Sequence, residues 1–172
     1  VQHLPPVTLR QLKLERKEVE VLTQEEIQEL YKATNNESDY YLQEIFNARD
    51  RAMLTVFYSC GLRRNEGVNL SIDDINFDTR IIHVRKGKNY KERLVPFSKT
   101  SLKYLQEWIY DYRIQLIKSQ KEGALFIGNS GKPINGGSLY RRFKQIQQLV
   151  ENAELRTKEI GLHTLRHSIA TH

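Results

Sequence analysis

Three separated stretches of this chain hold residues suited to gripping an anionic oxygen. Residues 161–172 read G-L-H-T-L-R-H-S-I-A-T-H. On a helix His163, Arg166 and His167, at i, i+3 and i+4, share one face, while Leu162, Leu165 and Ile169 repeat on the face that would meet a core. An arginine framed by two imidazoles offers many donors and few acceptors, which fits a phosphate oxygen. The second stretch, residues 61–70, reads G-L-R-R-N-E-G-V-N-L. Its glycine ends one helix and Arg63 opens the next, where free N–H groups favour an anion and a guanidinium adds a two-pronged donor. The third is a basic hairpin with Lys88 at its tip. Its ammonium can meet a phosphate or a base edge, or protonate a departing alkoxide.

Each stretch also has a plainer alternative. Arg63 can simply pair with Glu66, three residues on. The hairpin can be a solvated charged edge that keeps a sheet soluble. His167 can be a core histidine bonded to backbone or to the neighbourhood of Arg63. A metal held by His163 and His167 is disfavoured, because Arg166 projects its charge between them and no H-E-x-x-H or cysteine cluster supplies further ligands. The single cysteine, Cys60, lies in a strongly apolar stretch and reads as core; it excludes an internal disulfide and fits a reducing cytosol.

The elements that must position these groups follow from patterning. Residues 1–22 carry Pro5-Pro6 and then alternating charges, an extended linker or arm, so the domain is expected over 23–172. Thr23 and Glu26 form a capping box that starts a helix reaching about residue 33, with Ile27 and Leu30 inward. Residues 40–60 keep helical spacing of large apolar side chains and form the central helix, ended by Gly61. A short helix over 64–70 and a turn at 71–74 precede three short strands, 75–77, 80–85 and 92–97, with Pro96 at the end of the last. Ser98 caps a helix to about residue 118, with Leu102, Leu105, Ile109, Leu116 and Ile117 inward. An apolar segment 124–127 and a turn at 128–131 lead to a helix over 138–152, whose stripe is Leu139, Phe143, Ile146 and Leu149. The last helix starts near His163. The fold class is mainly α with a small three-stranded antiparallel β-sheet, α+β.

Composition narrows the partner. With 172 residues and 39% hydrophobic content the chain is one ordinary globular domain. No apolar run approaches the ~20 residues of a membrane span. The formal net charge of +6 favours a polyanion. The charge is concentrated in residues 80–93, with Arg85, Lys86, Lys91 and Arg93 against the lone acid Glu92, and in Arg141, Arg142 and Lys144. These are the expected contacts to double-stranded DNA.

The ordered combination of G-L-R-R-N-E-G-V-N-L, G-K-N-Y-K-E-R-L-V-P and L-H-T-L-R-H-S-I-A-T-H resembles the tyrosine recombinase, or phage integrase, family, most of all its bacterial and phage members related to Xer recombinases. The resemblance spans about residues 20–172 and implies that family's catalytic-domain fold. It implies site-specific DNA integration or recombination without metal, ATP or other cofactor. In that chemistry a tyrosine attacks the scissile phosphate, forming a 3′-phosphotyrosyl link and freeing a 5′-hydroxyl. Carried over by motif, Arg63, Lys88, His163 and Arg166 are catalytic, with Glu66 and His167 supporting.

The family's nucleophilic tyrosine follows H-x-x-R-H by several helical turns, and all nine tyrosines of this chain precede that motif. The chain is therefore expected to lack the nucleophile and to bind DNA without cutting it. A full-length parent is expected to act as a homotetramer on DNA in the cytoplasm of a bacterial or phage-infected cell, the piece itself being monomeric. A non-catalytic DNA-binding module and a type IB topoisomerase-like enzyme share many of these features.

Overall fold

The computed structural model of the protein describes residues 18–85, 89 and 91–172. Most of the expected arm, and Lys86, Lys88 and Tyr90 at the hairpin tip, lie outside the described residues. Helix α1, Gln24–Ala33, begins as its capping box requires. The Thr23 hydroxyl accepts the Glu26 N–H at 3.1 Å, and the Glu26 carboxylate accepts the Thr23 N–H at 2.9 Å. Leu22 is fully buried, so the core begins just inside the stretch expected to be linker. Its N–H donates to the buried Ser168 hydroxyl at 2.9 Å.

Helix α2, Gln43–Leu54, continues into a π-helical turn over Thr55–Ser59. Its run of Ala48, Ala52, Met53, Leu54, Val56 and Phe57 is almost wholly excluded from solvent, as its apolar spacing predicts. Phe57 stacks on Phe126 with ring centroids 6.4 Å apart. Gly61 ends the run at φ 63°, the left-handed geometry that a Cβ disfavours. Cys60 beside it is buried core, and burial pushes its thiol up to about 12.

Helix α3, Arg64–Val68, leads through a 3-10 turn to an antiparallel sheet of β1, Ile75–Asn76, β2, Ile81–Val84, and β3, Arg93–Pro96. The strand order is β1-β2-β3. Ile82 stands opposite both Ile75 and Val95, and Val84 opposite Arg93. Ile82 and Val84 face the core.

Helix α4, Lys99–Gln106, capped by Ser98, passes into a π-helical turn at Glu107–Tyr112 and a 3-10 turn at Arg113–Gln115. Two residues left out of the expected stripe prove central. Trp108 is fully buried and its indole N–H donates to the Leu125 carbonyl at 2.9 Å. Arg113 is buried and donates to the carbonyls of Glu122 and Ala124. Together they fasten the 122–127 segment, whose Leu125, Phe126 and Ile127 are fully buried.

Helix α5, Gly136–Leu149, starts from the Asn135 cap and is shorter than expected, because Val150 turns extended at ψ 148°. Val150 takes the core position and leaves Leu149 exposed. A helix not anticipated from the pattern, α6, Ala153–Thr157, follows from the Asn152 cap. Helix α7, Leu162–Thr171, packs against the π-helical turn after α2. Among the described residues no helix is long and apolar enough to cross a membrane.

Candidate active site

The turn after α2 is where the separated stretches meet. The Gly61 carbonyl accepts Nη1 of Arg166 at 2.6 Å, which ties α7 to the residue that opens the G-L-R-R segment. Ile169, one turn further along α7, would contact a Cβ at Gly61 at 3.4 Å, so the helix and the turn are in close packing. Arg63 is the N-cap of α3, with extended backbone at ψ 154°. Its N–H donates to Glu66 Oε2 at 2.8 Å and its Nη1 donates to Glu66 Oε1 at 3.1 Å. The pairing of Arg63 with Glu66 is thus present. It leaves the Arg63 side chain 45% exposed, so pairing and availability to a ligand coexist.

Arg93 completes the arrangement. It was expected among surface DNA contacts, yet its guanidinium grips the same buried Glu66, Nη2 to Oε2 at 2.8 Å and Nη1 to Oε1. Burial alone would favour the protonated Glu66. The hydrogen bonds from Arg93 and from the Arg63 backbone outweigh it, with further help from both charges, and hold the carboxyl down at about 2. Arg166 shows the opposite strain. Burial and then the positive charges of Arg63 and Arg93 lower its hold on its proton, with Glu66 opposing. Two guanidiniums on one carboxylate, with the Arg166 charge acting on both, leave a cationic surplus that an anion would relieve. The signal for Arg93 lay in strand alternation, since it shares the half-buried face of β3 with Val95 while Leu94 points out, 64% exposed.

His163 and His167 both stand exposed on α7, edge to face with ring centroids 6.3 Å apart. The core alternative for His167 is overturned: one turn past His163 it lies on the outward face, while Leu162, Leu165 and Ser168 turn inward. Among the described residues no three His, Cys, Asp or Glu side chains group to hold a metal ion.

The other expected DNA contacts differ in how they are held. Arg85 is largely exposed and anchored by Nε to the buried Asp74 at 2.6 Å. Lys91 is exposed. Arg141 is exposed and rests on the Ser138 hydroxyl at 3.1 Å. Arg142 turns inward. It donates from Nε to both oxygens of the buried Asp50 at 3.0 Å and from Nη2 to Oδ2 at 2.6 Å. A carboxylate 1% exposed needs a counter-charge, and Arg142 supplies it.

A mainly helical domain with a three-stranded antiparallel sheet, in which arginines from separate stretches come together at the start of α3, has the fold of a tyrosine recombinase catalytic core. The chain matches the Phage integrase family over residues 20–172 and belongs to it. Among curated proteins, the tyrosine recombinase XerD of Staphylococcus saprophyticus is 35% identical over 168 residues, covering 98% of this chain and 53% of that protein. The chain thus spans about half the length of the curated relatives it matches. The crystal structure of XerA recombinase superimposes with a TM-score of 0.72 at 24% identity, over 96% of this chain and 53% of that one, a likeness of fold. The XerH site-specific recombinase bound to its difH substrate in a pre-cleavage complex matches with a TM-score of 0.69 at 28% identity, over 90% of this chain and 43% of that one.

Proposed function

We propose that this chain is the phosphate-holding part of a site-specific DNA recombinase that exchanges strands through a 3′-phosphotyrosyl intermediate. The observation that carries the reading is the pairing of Arg63 and Arg93 on the Glu66 carboxylate, with Arg166 held by the Gly61 carbonyl two residues before Arg63. As the scissile phosphate is attacked, charge gathers on its non-bridging oxygens, and preset guanidinium and imidazole donors stabilise it without a metal. Arg63, Arg166 and His163 take that role. Lys88 protonates the leaving 5′ oxygen. Glu66 orients the arginines and His167 flanks the site. Arg85, Lys91 and Arg141 hold the flanking backbone. The whole protein acts as a homotetramer on double-stranded DNA in the bacterial cytoplasm, with no cofactor.

We assign none of the nine tyrosines as the nucleophile, because all precede the His163–His167 motif that the family's nucleophile follows. Tyr31 is half-buried, and desolvation against the core pushes its phenol up to about 12. The Tyr58 hydroxyl is engaged with the His172 imidazole at 2.8 Å. The 172 residues are therefore read as binding DNA without forming a covalent adduct. The test is fluorescence anisotropy with a labelled generic duplex across a salt series. Affinity should fall steeply with salt, and a flat response would overturn the DNA reading. In parallel, incubation with a pool of nicked duplexes should give no protein–DNA band on a denaturing gel. A covalent band would overturn the assignment of no nucleophile.

A further inference from the structure

We propose that Gly161 and Tyr140 form a seat that fixes the orientation of His163, with Tyr140 a positioning residue that acts through that imidazole. Gly161 is the N-cap of α7 and is buried. Its φ of −149° is open to any residue, so the demand for glycine is one of space. A Cβ there would stand 3.1 Å from both Cε1 and Nδ1 of His163 and 3.3 Å from Cε2 of Tyr140. Two rings from different helices close on the one point where this residue has no side chain. The Nδ1–Cε1 edge of His163 is the part of the ring nearest the space a Cβ would take, so in this seat Nε2 is the nitrogen left to meet a ligand.

The rest of α5 holds the seat in place. Tyr140, Lys144 and Gln147 succeed each other at i, i+4 and i+7 on one helix face. Lys144 Nζ donates to the Ile160 carbonyl at 3.1 Å. The buried Gln147 amide donates to the carbonyls of Leu155 and Lys158, both at 2.8 Å. The approach to α7 is therefore pinned residue by residue to α5. At its end, Gly161 and Thr164 cap each other: the Gly161 N–H donates to the Thr164 hydroxyl and the Thr164 N–H to the Gly161 carbonyl, each at 3.0 Å. An imidazole on the first turn of a helix whose entry is fixed in this way has little freedom left except its own rotamer. Tyr140 and Gly161 restrict that rotamer. The mechanistic meaning rests on the role proposed above for His163.

The test is imidazole NMR on the free 172-residue protein, assigning the Cε1–H and ring nitrogens of His163 in wild type, Tyr140→Phe, Tyr140→Ala and Gly161→Ala. Tyr140→Phe should leave the His163 signals in place, because only the ring is used. Tyr140→Ala should move Cε1–H through loss of the neighbouring ring current, and Gly161→Ala should move it by displacing the imidazole. Backbone amide spectra establish that each variant is folded. His163 signals unchanged in a folded Tyr140→Ala protein would overturn the seat, as would a Tyr140→Phe change as large as the alanine one. Duplex binding by anisotropy decides the proposed function separately, since the seat is read without DNA.

Discussion

Glu66 and Arg93, 27 residues apart, join the helix that carries Arg63 to the first residue of β3. The bond matters for function because it fixes β3 against α3, whose N-cap is Arg63. Replacing Glu66 with Gln removes the carboxylate that Arg63 and Arg93 share. We expect Glu66→Gln to destabilise the domain by about 2–3 kcal/mol. That is less than the ~3–5 of a fully buried pair, because the arginines keep part of their hydration. Urea unfolding measures it, and Arg93→Lys should lose part of the same amount by giving up the two-pronged geometry.

The same carboxylate makes stability depend on pH in acid. Its folded value is held down at about 2, below the ~4.3 of an unfolded glutamate. A depressed carboxyl contributes stability that is whole above the unfolded value and is lost as pH falls through the folded one. The unfolding free energy from urea titrations should therefore drop between about pH 4 and pH 2, by roughly 2 kcal/mol once solvent screening at the arginines is allowed for. In Glu66→Gln that part of the acid limb should be missing. A variant as acid-sensitive as wild type would remove Glu66 from the account.

How far the sequence carries this structure depends on whether the signal is local. The Thr23–Glu26 box, the apolar run ended by Gly61, the Ser98 cap and the three strands are all local signals, and all appear where they were expected. What escaped is tertiary. Arg93 and Arg142 read as surface charge, yet each is turned inward by a carboxylate from elsewhere in the chain, and Arg113, outside the expected stripe, is turned inward by carbonyls. The π-helical turns at Thr55–Ser59 and Glu107–Tyr112 carry no local sequence signal, and Trp108, three residues after Leu105, lies on the same inward face. Of the site, Arg63, Glu66, His163 and Arg166 were legible as motifs. That Glu66 binds two arginines, or that Gly161 lies between two rings, needed coordinates.

Arg141 and Arg142 are neighbours with opposite tasks. Arg142→Ala strands Asp50 in the interior and should cost about 3 kcal/mol in urea unfolding. Arg141→Ala should leave stability within about 0.5 kcal/mol, weaken duplex binding, and reduce the salt slope by about one charge. Anisotropy against salt and urea unfolding on both variants check this. A loss of stability in Arg141→Ala matching that of Arg142→Ala would contradict the assignment.

Cys60 should be silent in the native state. Burial raises its thiol to about 12, so both thiolate and access are lacking. Labelling by an aromatic disulfide reagent should be slow in buffer and complete at once in denaturant. Its rate in intermediate urea should follow the unfolded fraction. Rapid native labelling would mean that the α2 end opens locally, and with it the turn that receives Arg166.

Gly67 places α3 against the core. A Cβ at this position would stand 2.5 Å from Cε1 and Cζ of Phe57, and 3.2 Å from Cγ1 of Val56. Phe57 is fully buried and stacked on Phe126, so it has little room to yield. Alanine is the better helix former by about 1 kcal/mol, but overpacking a closed core costs typically 1–3 kcal/mol. The two effects oppose each other, and the rigidity of the Phe57 stack decides for the second. Gly67→Ala should lower the urea midpoint and, by lifting α3, weaken duplex binding through Arg63 as well. Phe57→Leu in the Gly67→Ala background should recover part of both losses, since it removes the ring edge that the new methyl strikes. Gly67→Ala with a raised midpoint would show instead that α3 can slide without disturbing Arg63 and Glu66.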